Sequence, residues 1–459
     1  MLLIVKIFGR LIAWTPESIL RVVCFLLGAI IYRALPGRRN TALRNLHHCF
    51  PEKEESWRVM ILKEHCRRLV ETALYVMSSP FFSKERAARL VAIPNAETLE
   101  TMNQAIKKGA MVLMVPHTTL AETSMTMPLR FPELRGRVSV IFRPLNNDKL
   151  DHWVRHSRGR FGVQLLSRRA GYGEALKALE ANDAVGLLFD QNASGKGSLI
   201  HFMGRVVSAT ELPGIMAHRK QADAYMVCAV RTGFWKAKME VARLDKGDAP
   251  IDLTLSANEW LSDFLKRSDN CCADWLWLHD RWGSPKNPKR RFHLREKRNR
   301  LEEDRRFRNG KRPEPVIRVW FFLPKTQEEF RDLADIMEMI RESRPDYALC
   351  VIGEHSNAVV SDSFGDLITK TIELGESESR RKTQIEKIAA EYPDVWINLR
   401  TDRNSLVESL LSRAEQRFGI ESTPRASKYL THLAPAPTET SWLPFFERFG
   451  LGTRKKHRL

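Results

Sequence analysis

His117 stands five residues before Glu122, and this pair has the residue types needed to move an acyl group onto a hydroxyl. Such a transfer requires a base to take the hydroxyl proton. It also requires a partner that orients the base, and donors for the developing oxyanion. A carboxylate five residues after a histidine serves as the partner if the histidine ends a strand and the acid sits on the helix that follows. The carboxylate then fixes the imidazole tautomer and supports its charged form. Spacing alone is weak support. Of the 13 histidines, three have an acid five residues on: His47 with Glu52, His117 with Glu122, and His218 with Asp223. His47 lies in a polar stretch before Pro51, and His218 is followed by Arg219 and Lys220. His117 alone follows an apolar run, Met111 to Val115, and opens onto Thr118 and Thr119. Sites in α/β sheets form at such strand ends, although a packed histidine at a strand end would satisfy the same pattern.

The elements that must position this pair are legible from periodicity. Up to about residue 90 the texture is helical, with Met60, Ile61, Leu69, Val70, Leu74 and Met77 at helical spacing over Trp57–Met77. Beyond residue 95 short apolar strands alternate with helices. The strands are expected at Ala110–Val115, Val138–Phe142, Ala184–Phe189 and Tyr225–Val230. Helices are expected at Leu150–Phe161, Gly173–Ala181, Glu211–Gln221 and Ser256–Lys266. This rhythm predicts an α/β domain with a largely parallel or mixed sheet and flanking helices.

Residues 286–313 form a basic linker: from 286 to 312, 13 of 27 positions are Lys or Arg. A second, smaller Rossmann-like α/β domain is expected over 314–459. It opens with a strand at Val316–Leu323, a helix at Thr326–Ser343 with Thr326 and Glu329 as a capping box, and a strand at Tyr347–Gly353. A helix at Arg380–Glu391, a strand at Val395–Leu399 and a helix at Ser405–Phe418 continue it.

The N-terminus, residues 1–40, is amphiphilic. Val22–Tyr32 is uncharged and apolar but shorter than the ~20 residues that span a bilayer. Lys6 and Arg10 lie on one side of it, and Arg33, Arg38 and Arg39 on the other. An interfacial or shallowly inserted membrane-associated helix is expected, with the body in the cytoplasm; a buried core helix is the other reading. The charge of +19 calls for an anionic partner, whether membrane surface, phosphorylated substrate or nucleic acid. The seven cysteines have no CxxC or Cys/His spacing, so neither a metal site nor a disulfide framework is expected, and Cys271 and Cys272 read as small core residues.

Over residues 1–285 the motifs resemble, in order and spacing, those of the late acyltransferases of lipid A biosynthesis, the lauroyl and myristoyl transferases. They are Asn45-Leu46 with Phe50-Pro51-Glu52; Val115-Pro116-His117 with Glu122; Ile141-Phe142-Arg143-Pro144 with Asn146; Asp190 with Phe202 and Gly204; and Trp277, His279, Arg281 and Trp282. The resemblance implies an acyltransferase domain over 41–285 that uses acyl carrier protein as co-substrate, without metal or other cofactor. It would acylate a hydroxyacyl group of a lipid A precursor at the cytoplasmic face of the inner membrane. It implies His117 as base, Glu122 as its partner, and Arg143 and Asp190 as additional, substrate-binding residues.

Residues 314–459 more weakly resemble the N-terminal half of family 9 glycosyltransferases, in Tyr392-Pro393-Asp394 through Asn398 and Arg425 through Thr431. The Gly-Asp pair of that family is replaced by Leu323-Pro324-Lys325, so no glycosyl transfer is expected. Two other classes compete: a glycerolipid or lysophospholipid acyltransferase, which shares the His-acid logic, and a nucleic-acid-binding protein. The second has no zinc knuckle, phosphate loop or aromatic RNA-binding signature to support it, and no nucleic acid is expected.

Overall fold

The computed structural model describes residues 2–93, 95–167, 171–282, 291–292, 298–310, 317–330, 332–421, 425–438 and 441–452. Residues 286–290, 293–297 and 311–313 of the basic segment, and Val316, lie outside them. The chain divides into two compact units, the first essentially residues 1–281 with 300–310, the second essentially 282–299 with 311–459.

The first unit begins with four helices, α1 (Leu2–Trp14), α2 (Glu17–Ala34), α3 (Pro36–Cys49) and α4 (Glu55–Ser78). Helices α1 and α2 both pack on α4 through Ala13, Leu20, Cys24, Val70 and Tyr75. Glycine sets the closeness of α2: a Cβ on Gly28 would lie 2.7 Å from Arg67 Cα, so only a residue without a side chain fits there. The opposite face is apolar and open, with Leu3, Trp14 and Phe25 each about two-thirds or more exposed (70%, 77% and 66%). Among the described residues no single helix is long and apolar enough to cross a membrane. Helices α2 and α3 pass that test only as a pair bent by 93°.

The helix Ala96–Lys108 leads into the sheet. Asn95 caps its start, accepting from the Thr98 N–H at 2.9 Å. Gly109 ends it at φ +105°, the left-handed geometry suited to glycine. The sheet comprises β1 (Val91–Ala92), β2 (Met111–Val115), β3 (Val138–Phe142), β4 (Val163–Ser167), β5 (Ala184–Leu188), β8 (Asp223–Gly233) and β9 (Lys236–Leu244). A separate hairpin is formed by β6 (Ser198–Phe202) and β7 (Arg205–Ala209). The sheet order is β1-β9-β8-β2-β5-β3-β4. Strands β8, β2, β5, β3 and β4 run parallel, and β9 is antiparallel to β8, so the mixed-sheet expectation holds. Strand β2 lies in the middle, and its near-continuous apolar sequence reflects burial on both faces. The periodicity reading passed over β1, β4, β9 and the hairpin.

The helix Leu301–Phe307 belongs to the first unit. Asp304 accepts from both the backbone N–H and the ring Nδ1 of His201, each at 2.7 Å, and Arg308 reaches Glu259 at 2.7 Å. Where it is described, that part of the basic segment is folded rather than extended.

The second unit is a six-stranded parallel sheet: β10 (Ile317–Phe322), β11 (Tyr347–Gly353), β12 (Lys370–Glu373), β13 (Val395–Asn398), β14 (Gln416–Ile420) and β15 (His432–Ala434). The order β12-β11-β10-β13-β14-β15 is the Rossmann order, reversing between the first and fourth strands. Two expectations need correction. The helix expected over Thr326–Ser343 is a short 3₁₀ turn, Gln327–Phe330, followed by a helix at Leu333–Ser343. Only one half of the capping box forms, with the Glu329 carboxylate accepting from Thr326 N–H at 3.2 Å. The helix expected over Ser405–Phe418 covers Arg403–Leu411. The chain then turns at Arg413, φ +53°, and Phe418 enters β14, where it is fully buried. A short, doubly buried strand lacks alternation, so its apolar residues passed for a helical stripe.

Candidate active site

Strands β2 and β5 are parallel neighbours, so the residues after their carboxyl ends meet. His117 follows β2 and Asp190 follows β5. Asp190 is almost wholly buried and receives three hydrogen bonds. The backbone N–H of His117 donates to Oδ2 at 2.9 Å, the His117 ring Nδ1 to Oδ1 at 2.5 Å, and the indole N–H of Trp275 to Oδ2 at 2.6 Å. Burial pushes the Asp190 carboxyl upward, but the His117 charge and these hydrogen bonds outweigh it and hold the group below the usual carboxylate value. An ionised Asp190 can only accept, so Nδ1 carries a proton, and whenever the ring is neutral Nε2 is the nitrogen with the lone pair.

Glu122, expected to be that partner, is engaged elsewhere. It lies on a 3₁₀ turn, Ala121–Thr126, and receives Arg158 in a bidentate pair, Nε to Oε1 at 2.6 Å and a terminal nitrogen to Oε2 at 2.9 Å. The physical reason lies in the intervening residues. Thr118 bridges to Trp275, Thr119 N–H donates to the Asp274 carbonyl at 2.8 Å, and Leu120 is fully buried. These anchors turn the chain, and Glu122 faces Arg158 in a pocket also lined by Tyr75, Trp153, Arg160 and Phe161. Arg143 follows β3 on the same sheet edge. It is exposed, and among the described residues its side chain is not joined to His117 or Asp190 by a hydrogen bond or ion pair. Of the four site residues expected from sequence, the structure brings together His117 and Asp190.

Around this group lies a buried ionic seam. Asp274 Oδ1 accepts from Thr119 Oγ1 at 2.5 Å, and from Arg68 and Arg231 at 2.9 Å each. Arg231 also donates to Glu71 at 2.8 Å. Two guanidiniums thus face two carboxylates, which offsets the cost of burying four charges. Asp274 and Trp275 are chain neighbours, so one segment fixes both the turn after His117 and the carboxylate that holds its ring. Arg281, fully buried, clamps the loop after Asp190 by donating to the Gln191 carbonyl at 2.6 Å and to Asn258 Oδ1 at 3.0 Å; burial lowers its guanidinium to about 10. His279 Nε2 accepts from the Asn192 N–H at 3.1 Å, and burial, reinforced by Arg281, lowers its pKa. Sequence reasoning had marked His279 and Arg281 only through a motif, and had not assigned roles to Trp275, Asp274 or Arg158. The aromatic run at 275–282 was the available signal for Trp275; Arg158 sits in an ordinary basic helix and had none.

The model of bacterial lipid A biosynthesis acyltransferases matches residues 1–284. The chain belongs to that family. Its curated relatives are distant. The lipid A biosynthesis lauroyltransferase of Escherichia coli K12 is 23% identical over 263 residues, which cover 56% of this chain and 82% of that protein. A lipid A biosynthesis acyltransferase of Haemophilus influenzae is 26% identical over 192 residues, 41% of this chain and 59% of the relative. As a member of this family the chain is an acyltransferase, and the His117–Asp190 pair sits inside the matched region.

Proposed function

We propose that this acyltransferase moves a fatty acyl chain from acyl carrier protein to the hydroxyacyl group of a lipid A precursor, a late step of lipid A assembly. The observation that carries this reading is the His117–Asp190 pair at the carboxyl edge of the sheet. His117 Nε2 takes the proton of the acceptor hydroxyl as its oxygen attacks the thioester carbonyl. The tetrahedral adduct collapses with loss of the thiolate, which recovers a proton from the imidazolium. Asp190 keeps the reactive tautomer and stabilises the charged ring between those steps. Glu122 holds the Arg158 fork in the adjoining pocket, and Arg143 stands on the same sheet edge as a cation available to the phosphorylated acceptor.

Work at the cytoplasmic face of the inner membrane is part of the same proposal. The open apolar face of α1 and α2 lies beside Lys6, Arg10 and Arg33, a combination suited to shallow insertion among anionic headgroups. The test is mass spectrometry of lipid A from cells carrying the wild-type chain or His117→Ala. Loss of one acyl chain in the variant is expected, and an unchanged acyl count would overturn the proposal.

A further inference from the structure

The pocket beside Glu122 is charged in an unbalanced way. Two guanidiniums, Arg158 and Arg160, line it together with one carboxylate, Glu122. Arg158 spends its fork on that carboxylate. Arg160 directly follows the helix Asp148–Gly159. It stacks on Phe161, 4.2 Å from the ring centroid, and has no carboxylate or carbonyl acceptor among the described residues; its Nε is buried without a partner. Burial lowers its pKa, as happens when a charge is taken from water without compensation.

Tyr75 adds a second unfilled donor. It is 3% exposed, lines the same pocket, and its hydroxyl makes no hydrogen bond among the described residues. Burial, with the Glu122 charge adding to it, raises its pKa, so it remains a neutral O–H donor. Ser79, Thr126 and Ser157 add hydroxyls to the lining, and Val76, Met125, Trp153 and Val154 supply apolar walls. A buried donor without an acceptor is costly; Arg160 Nε is one, and the Tyr75 hydroxyl is an unused donor on the same pocket. Here they converge on one space, and their common need is a group with several anionic oxygens attached to an apolar body.

We propose that this pocket binds a phosphate group of an acyl-transfer substrate, with Arg160 as its guanidinium anchor and Tyr75 as an added donor. The proposal rests on the acyl-transfer reading above and extends it. Arg160 offers the planar fork that matches phosphate oxygens, and it remains free for this because Glu122 takes up only Arg158. The phosphate belongs either to the glycolipid acceptor or to the phosphopantetheine of the donor, and the experiment separates the two.

Binding is measured with the full-length protein in the His117→Ala background, so that no turnover intervenes. The probes are a bisphosphorylated tetraacyl glucosamine disaccharide and its dephosphorylated form, then acyl carrier protein bearing a fatty acyl thioester and the acyl-pantetheine lacking phosphate. Arg160→Met is expected to weaken one phosphorylated probe by about 10- to 100-fold, the loss of a charged hydrogen-bonded contact, and to leave its phosphate-free counterpart unchanged. The affected probe identifies the source. Arg160→Lys is expected to recover part of the loss. Tyr75→Phe, which keeps the ring packed, should give a smaller loss confined to the same probe. Equal loss with and without phosphate, or no loss for either phosphorylated probe, would overturn the assignment. Turnover of the wild type is assayed separately. If it transfers no acyl group while the binding results hold, the acyl-transfer reading fails and the phosphate site stands.

Discussion

At the scale of single residues, the chemistry depends on which ring nitrogen of His117 is free. Asp190 occupies Nδ1 at 2.5 Å, leaving Nε2 to face substrate, so replacing the carboxylate with an amide should free the wrong tautomer. Asp190→Asn is expected to lower kcat by about 10³- to 10⁴-fold. The double variant His117→Ala with Asp190→Asn should be no worse than His117→Ala alone, because the two act as a unit. Glu122 and Arg158 form a second unit through their bidentate pair. The losses of Glu122→Gln and Arg158→Met are therefore expected to overlap with each other and to combine multiplicatively with that of Asp190→Asn. Steady-state kinetics of the double variants reads both patterns directly.

At the scale of elements, α4 and the segment 273–275 form the seam that supports the site. Asp274→Ala would leave Arg231 with Glu71 alone and Arg68 with the partly exposed Glu64. A buried pair broken on one side costs about 3–5 kcal/mol, so a large fall in the denaturant midpoint is expected. A fall no larger than that of an exposed-site alanine would show that the seam contributes little. The same seam gives stability a pH dependence. His65 on α4 donates its Nδ1–H to the Ala273 carbonyl at 3.0 Å, and burial lowers its pKa to about 4. The unfolded histidine protonates near 6.5 while the folded one remains neutral. Stability is therefore lost as pH falls from about 6.5 to about 4, by on the order of 3 kcal/mol at most. Thermal melts of wild type and His65→Gln across that interval should show a steeper decline in wild type. Farther out, the exposed apolar face of α1 and α2 predicts cosedimentation with anionic vesicles. That retention should drop when Leu3, Phe8 and Phe25 become Ser and should weaken as salt rises.

At the scale of the whole molecule, every residue of the His117–Asp190–Trp275 group lies in the first unit. The second unit has the Rossmann strand order, yet Leu323-Pro324-Lys325 follows its first strand where the resembled family has its Gly-Asp pair. Removing residues 314–459 is expected to preserve acyl transfer in vitro to within a few-fold. Abolished transfer by a truncated chain that still melts cooperatively would assign the second unit a catalytic part.

The sequence by itself determined the most apolar strands, β2, β3, β5 and β8 of the first unit and β10, β11 and β13 of the second, because strands buried on both faces read as apolar runs bounded by turn residues. It placed His117 and Asp190 each just past such a strand, and its ordered motifs pointed to the family. It also marked α1 and α2 as apolar segments flanked by basic residues. Tertiary structure alone decided which carboxylate holds His117. Strand adjacency brings β5 beside β2 although 68 residues separate Val115 from Ala184, and no local pattern encodes that pairing. Glu122, near in sequence, is turned toward Arg158 because Thr118 and Thr119 are fastened to a segment more than 150 residues away and Leu120 is buried against Ala229 and Ala237. Chain proximity nominated one acid; the sheet delivered the other.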